Sequence, residues 1–227
     1  MERRKLIMEQ IQEMSWEEAK GEIVFWLVNR KRNKMLLKTT RVLNCGDMAL
    51  VCGLHWKEGN ERRFVLITQE QMSRWRVPIR EMLAEAEQNM IQRFPAVKRP
   101  LEEVLQEAAK MVGQTWEKEG TGLGRKLILL TNREGYLGAS AMLYDGVLKE
   151  LADAMGSDLF ILPSSIHEVL ALPDDGEVDW KELEEIVQTI NQTEVEDREV
   201  LSDTVYCYCR ENDLLLPARA FSPKATL

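Results

Sequence analysis

Residues 158–175, Asp-Leu-Phe-Ile-Leu-Pro-Ser-Ser-Ile-His-Glu-Val-Leu-Ala-Leu-Pro-Asp-Asp, constrain the fold of this chain more than any other stretch. Two apolar runs, Leu159–Leu162 and Val169–Leu172, flank a polar corner holding Ser164, Ser165, His167 and Glu168. A short continuous apolar run bounded by turn signals is the pattern of a strand buried on both faces. Two such runs on either side of a turn read as a β-hairpin inside a sheet. The corner between them is also the densest set of reactive side-chain types in the sequence.

Helix and hairpin signals precede it. Residues 2–14 place Leu6, Ile7, Ile11 and Met14 on one helical stripe, and Ser15 with Glu18 forms a capping box for a further turn. Ile23–Val28 is continuously apolar and rich in β-branched and aromatic residues, which predicts a buried strand. The polar run Asn29–Lys38, with Met35, Leu36 and Leu37, predicts a helix. Met48–Trp56 and Arg63–Ile67 predict a hairpin around Lys-Glu-Gly-Asn. Thr68 with Gln71 starts a short helix bearing Met72 and Trp75. Pro78 suits the first turn of a helix with Met82, Leu83, Ala86 and Met90 at helical spacing. Pro100 opens another, carrying Leu101, Val104, Leu105, Ala108, Met111 and Val112.

Four glycines between Gly113 and Gly124 mark a linker, which divides the chain into 1–113, a linker 114–125, and 126–227, with one continuous domain as the alternative. The run Gly120-Thr-Gly-Leu-Gly-Arg-Lys126 precedes a strand at Lys126–Leu130 instead of following one, so it is not a phosphate-cradling loop. Beyond it, Leu127–Thr131 and Leu137–Leu143 predict a hairpin around Asn-Arg-Glu-Gly. Asp145 caps a helix bearing Val147, Leu148, Leu151, Ala152 and Met155, which Gly156 stops. After the 158–175 hairpin, Asp179 with Glu182 caps a helix bearing Leu183, Ile186, Val187 and Ile190. A strand at Thr204–Cys209 leads into an irregular tail with Pro217 and Pro223. Hairpins followed by helices, without sustained strand–helix alternation, predict an α+β fold: a mainly antiparallel sheet built from hairpin–helix units with helices packed on it.

Net charge is −8, unevenly spread. Between Tyr144 and Asp213, 19 acidic side chains stand against Lys149, Lys181, Arg198 and Arg210, a balance of −15, so the rest of the chain carries +7. An acidic chain whose basic run is only Arg30–Lys34 with Lys38 and Arg41 lacks the clustered cations that phosphate backbones require, which argues against nucleic acid as the main partner. No apolar run approaches the roughly 20 residues that span a bilayer. The opening Met1-Glu-Arg-Arg-Lys-Leu-Ile-Met is basic, but Glu9, Gln10, Gln12 and Glu13 interrupt any leader-like apolar region, so the chain reads as cytoplasmic. Cys45 and Cys52 with His55 look like half a metal site to which Cys207 and Cys209 could add sulfurs, but no Cys-x-x-Cys pair occurs and buried thiols are the expectation.

Two chemistries can be drawn on the corner. A hydrolase would use Ser164 or Ser165 as nucleophile, His167 as base and Asp203 as the carboxylate that orients it. Ser165 and His167, two residues apart, share a face of an extended strand, yet no Gly-x-Ser-x-Gly elbow is present. A metal site would use His167, Glu168, Asp174 and Asp175, but Asp174-Asp175-Gly176 is equally an ordinary turn. The plainer reading makes Pro163-Ser-Ser a turn whose hydroxyls bond backbone. Trp26, Trp56, Trp75, Trp116 and Trp180 sit beside apolar runs and supply core or contact anchors. These features favour a non-catalytic protein-interaction or structural module without cofactor, engaging a protein partner or a second copy of itself. The alternative is the Ser165/His167 hydrolase.

Leu137–Ala152, Leu-Gly-Ala-Ser-Ala-Met-Leu-Tyr-Asp-Gly-Val-Leu-Lys-Glu-Leu-Ala, resembles an uncharacterised bacterial domain-of-unknown-function family, DUF5688. So do Leu-Pro-Ser-Ser-Ile-His-Glu-Val at 162–169, Val-Leu-Ser-Asp-x-Val-Tyr at 200–206, and Ile-Val-Phe-Trp-Leu-Val-Asn at 23–29 with Asn33. The resemblance covers roughly residues 16–210 and implies no activity, cofactor or partner.

Overall fold

A computed structural model describes residues 13–58, 61–113 and 126–221. The expected helix over 2–14 lies almost wholly outside these described residues, as do the expected linker 114–125, the middle of the Lys-Glu-Gly-Asn turn and Pro223. The fold is α+β, with two antiparallel sheets and helices packed on them.

The first sheet is built on one long strand, β3 (Met48–Glu58), with β1 (Ile23–Asn29) along one edge. Two shorter strands share the other edge: β2 (Leu43–Cys45) beside the start of β3 and β4 (Glu61–Leu66) beside its end. Alternation along β1 assigns its two faces. Ile23, Phe25 and Leu27 enter the main core, whereas Val28 joins Ala49 and Val51 in a small cluster with Trp26, Leu36, Leu37, Val42 and Leu66. The helix α1 (Trp16–Ala19) opens with the expected capping box, Ser15 N–H to Glu18 Oε2 at 2.9 Å and Glu18 N–H back to Ser15 Oγ at 3.4 Å. Helix α2 (Gln69–Trp75) is capped by Thr68 as expected. Helix α3 (Ile79–Arg93) follows Pro78 and lays Met82, Ala86 and Met90 on β1.

The second sheet has six strands in the order β10-β9-β7-β8-β6-β5, all neighbours antiparallel. They are β5 (Ala96–Pro100), β6 (Ile128–Asn132), β7 (Leu159–Leu162), β8 (Val169–Pro173), β9 (Tyr206–Cys209) and β10 (Leu214–Pro217). The hairpin expected at 158–175 is present as β7 and β8, with Ile161 opposite Ala171. One face of this sheet, through Leu130, Leu159, Ile161, Val169, Ala171, Tyr206 and Tyr208, closes the main core against the first sheet and α3. The other face, through Phe160, Leu162, Leu172 and Cys207, is covered by Leu183 and Val187 of α6 (Trp180–Thr193). Helix α4 (Leu101–Met111) follows β5 directly and buries none of its side chains, although its apolar residues repeat at helical spacing. Helix α5 (Val147–Met155) ends on Gly156 in the left-handed region, as expected.

Several expectations change. The run Asn29–Lys38 is not a helix: Asn29 ends β1 and its Oδ1 takes Arg32 N–H at 3.0 Å, single helical-type bonds form at Asn33 and Leu37 without continuing, and only Leu36–Lys38 forms a 3-10 turn. Leu137–Leu143 is not a strand. Gly138–Leu143 is a 3-10 helix buried on nearly every side, so its apolar alternation reflects burial. Asp145 does not cap α5, whose N-cap is Gly146. β5 follows Pro95 and ends on Pro100, and β10 lies within the expected irregular tail; both are sheet edges, where proline's missing N–H is tolerated.

The charge imbalance is partly internal. Arg32 pairs with Asp197, Lys98 with Glu150 at 2.7 Å, and Lys126 with Asp175 at 2.5 Å and Glu177 at 2.7 Å. Each pair joins the basic part of the chain to the acidic part. No helix among the described residues is long and apolar enough to cross a membrane.

Candidate functional site

The corner after β7 does not turn tightly but lies beside residues 199–202. Ile166 N–H donates to Glu199 O, Leu201 N–H to Ser164 O and Ser202 N–H to Pro163 O, each at 2.9 Å. Ser165 is bridged to Val200 and buried, and its hydroxyl accepts the backbone N–H of His167 at 3.0 Å. His167 Nδ1 accepts Leu137 N–H at 3.2 Å, and its Nε2 stands 3.8 Å from Glu199 Oε1. Asp203 is elsewhere, accepting from Asn191 Nδ2 at 2.8 Å. Ser164 is half-buried and contributes its carbonyl to the pairing. Ser165 and His167 therefore meet through a backbone N–H, and Glu199 rather than Asp203 stands behind the imidazole. A serine nucleophile must give its proton to the base; the acceptor nitrogen of this base is occupied by a main-chain amide.

The four expected metal ligands do not converge. Asp175 pairs with Lys126 and receives Glu177 N–H, which hold its carboxyl below the ordinary carboxylate range. Burial, followed by the charges of Asp158 and Asp175, pushes Asp174 the other way. Among the described residues no group of three or more His, Cys, Asp or Glu side chains is placed to hold a metal ion. All four cysteines are free, and burial pushes the thiols of Cys52 and Cys207 up to about 12, so neither is a thiolate nucleophile.

What the corner does is join four segments. Leu137 N–H reaches His167, Ala139 N–H reaches Ile166 O at 3.3 Å, and Thr131 Oγ1 donates to His167 O at 2.8 Å. Leu27 N–H in β1 donates to Ser140 Oγ at 3.1 Å, and Asn29 Nδ2 to Leu201 O at 2.9 Å. A Cβ on Gly138 would meet Thr131 Oγ1 at 2.2 Å and His167 O at 2.5 Å, so only glycine lets these segments approach. Nearby, Asp47 accepts Ser202 Oγ at 2.8 Å and Tyr206 OH at 2.7 Å. Burial and that carboxylate hold the Tyr206 phenol far above its ordinary range.

This network supports the turn after β6, which walls a cleft of about 470 Å³ lined by Glu22, His55, Trp56, Arg93, Phe94 and Glu134. Arg93 grips Glu22 with both Nη atoms, at 2.6 and 3.0 Å, and also donates to Gly21 O at 2.6 Å. The Glu22 hydrogen bond keeps the Arg93 guanidinium charged more firmly still. Glu134 pairs with Arg62. The buried His55 ring lies 4.7 Å from Phe64 and 5.0 Å from Phe94, and Phe64 is 5.4 Å from Tyr136, whose ring lies tilted against His167 at 5.2 Å. An aromatic series thus runs from the cleft to the corner and contains both histidines of the chain.

A sequence model described as "Family of unknown function (DUF5688)" matches residues 2–210. The chain belongs to this family. All the segments that carried the resemblance fall inside the matched range, and in the structure they are the segments that hydrogen-bond to one another around Ser164–His167. No curated protein and no solved structure matched the chain. The family assignment therefore fixes kinship without fixing a chemistry.

Sequence reasoning singled out Trp56 as an anchor and His55 only as part of a metal motif; Glu22, Arg93, Phe94 and Glu134 went unremarked. The cleft draws on four separate stretches of chain, and no spacing pattern links them.

Proposed function

We propose that this member of the family is a non-catalytic recognition module whose cleft receives a flat side chain from a protein partner. One observation carries the reading: the ionic groups of the cleft are already paired within the protein, Glu22 with Arg93 and Glu134 with Arg62, which leaves the partly exposed Trp56 ring, backed by the buried His55 and Phe94, as the contact surface for a partner. An ion-paired carboxylate is committed, and among the described residues that line the space there is no serine, cysteine, threonine or lysine to act as nucleophile. A preformed recess with aromatic walls and a few fixed polar groups is a common binding geometry, and buried aromatic anchors dominate interface energetics. Free, partly accessible thiols at Cys45 and Cys209 support a reducing compartment, and we place the protein in the cytoplasm on that ground.

The test is selection from a random displayed-peptide library against the whole chain, with binders mapped by NMR. Enriched peptides should share an aromatic residue and shift the resonances of Trp56, His55 and Phe94. Trp56→Ala should weaken them by roughly thirtyfold or more, the loss typical of a contact hot spot. Selected peptides that bind the Trp56→Ala protein equally well, or a library that yields no binder, would overturn the reading.

A further inference from the structure

One wall of the cleft is Glu134 in the turn Asn132–Leu137, and the far end of that turn bonds a histidine. Leu137 sits in the left-handed region at φ +53°, a conformation that costs a branched residue energy unless its surroundings impose it. Its N–H donates to His167 Nδ1. That bond requires the neutral tautomer with the proton on Nε2, the nitrogen that faces Glu199. Tyr136, the preceding residue, packs its ring at a tilt against the same imidazole and against Phe64, and Glu134 lines the cleft while paired with Arg62.

We propose that His167 is a proton-operated latch on the cleft wall: neutral, it holds Leu137 and through it the Glu134–Tyr136 turn; protonated, it releases them. The proposal rests on the reading of the cleft as the contact site and assigns that site its regulation. A proton on Nδ1 faces the Leu137 N–H, so an acceptor becomes a donor at a distance where a donor already stands. At the same time the imidazolium is drawn toward Glu199, 3.8 Å from Nε2. Other groups set the balance. Arg198 Nε lies 3.7 Å from the same Glu199 oxygen and competes for it. Tyr136 faces the ring from the turn, and β6 contributes the uncharged Thr131 hydroxyl, bonded to His167 O. The imidazole therefore has two poses, one favoured by each protonation state. Leu137, strained, with its N–H on His167 and the carbonyl of the same peptide unit, Tyr136 O, held by Asn132 Nδ2 at 2.9 Å, is the element that differs between them.

The experiment needs no ligand. Amide exchange and ¹H–¹⁵N spectra of the whole chain are followed from about pH 8 to about pH 5, the interval in which histidine side chains change charge. Protection of the Leu137 amide should fall about tenfold, the value of one lost hydrogen bond. The Trp56 indole N–H should shift with the same midpoint. In His167→Asn, whose side-chain oxygen can accept from Leu137 but cannot titrate, both transitions should vanish while Leu137 stays protected at high pH. A transition that persists in His167→Asn belongs to another group, His55 or a carboxyl raised by burial such as Asp174, and overturns the latch, as does a Leu137 amide indifferent to pH in the wild type. A failed latch leaves the cleft to its own peptide selection, and a failed selection leaves the Leu137 transition standing, so the two ideas fall separately.

Discussion

Tyr206 donates its phenol proton to Asp47 at 2.7 Å, although 159 residues of chain separate them. The bond joins the β2–β3 turn of the first sheet to the start of β9 in the second. Ser202 Oγ gives Asp47 a further contact at 2.8 Å. Removing the hydroxyl in Tyr206→Phe leaves a partly buried carboxylate short of a donor, so equilibrium urea unfolding should show a loss of about 1–3 kcal/mol. Ser202→Ala should cost a similar amount. Because both hydroxyls serve one carboxylate, the double variant should depart from additivity; strict additivity would mean that the two contacts do not form one network.

Gly46 and Gly135 both lie in the left-handed region, at φ +65° and +62°, but only Gly46 is crowded. A Cβ at Gly46 would stand 2.2 Å from the Tyr206 hydroxyl, whereas one at Gly135 meets nothing within 4 Å. Gly135→Ala should therefore cost only the conformational strain, about 1–2 kcal/mol. Gly46→Ala should cost clearly more and lower the thermal midpoint further. Equal midpoints for the two variants would show that the Tyr206 ring moves aside freely.

The elements that were legible in the sequence are those whose signals are local. The Ser15–Glu18 box, the Thr68 cap and the paired apolar runs of β7 and β8 each rest on residues a few positions apart, and each is present. Gly138–Leu143 was not legible, because the partners that make it a buried 3-10 helix, Leu27 and Ile166 among them, lie far away in sequence. β5 was hidden by its prolines, which read as punctuation until an edge position explains them. The same limit governed the site: the Ser164–His167 corner was conspicuous in composition, but its hydroxyl and imidazole are bound to backbone, and the cleft it supports is assembled from stretches that share no spacing.

The helices α4 and α6 have similar apolar repeats and different fates. Leu183 in α6 is 1% exposed beneath the second sheet, whereas Leu105 in α4 is 39% exposed. Leu183→Ala should cost about 2–5 kcal/mol, the range for emptying a core position. Leu105→Ala should stay within about 0.5 kcal/mol, as for a surface change. Denaturant midpoints of the two variants decide it; a large loss at Leu105 would mean that α4 is covered in solution.

Alkaline pH should unfold this protein earlier than its core suggests. Cys52 and Cys207 are pushed from about 9 up to about 12 by burial, and burial likewise raises the phenols of Tyr144 and Tyr206. As pH rises past about 9, the unfolded chain releases these protons first and the native chain retains them, so stability is intact below that point and declines above it. Each withheld proton contributes a slope of about 1.4 kcal/mol per pH unit. Urea midpoints measured with reductant between about pH 8 and pH 11 should fall, and Cys52→Ala with Cys207→Ala should flatten the fall even if the plateau is lower. An unchanged slope would remove the thiols from the account.

The Asp47–Tyr206 bond also sets a schedule. A ribosome adds roughly 5–20 residues each second, so on the order of ten seconds pass between emergence of the β2–β3 turn and arrival of its phenolic partner. Throughout that delay the first sheet of a nascent chain carries an uncovered carboxylate and an unfinished rim, and Asn29 still lacks the Leu201 carbonyl. Chaperones and proteases would meet this half-finished state during translation, before the last strands supply its missing partners.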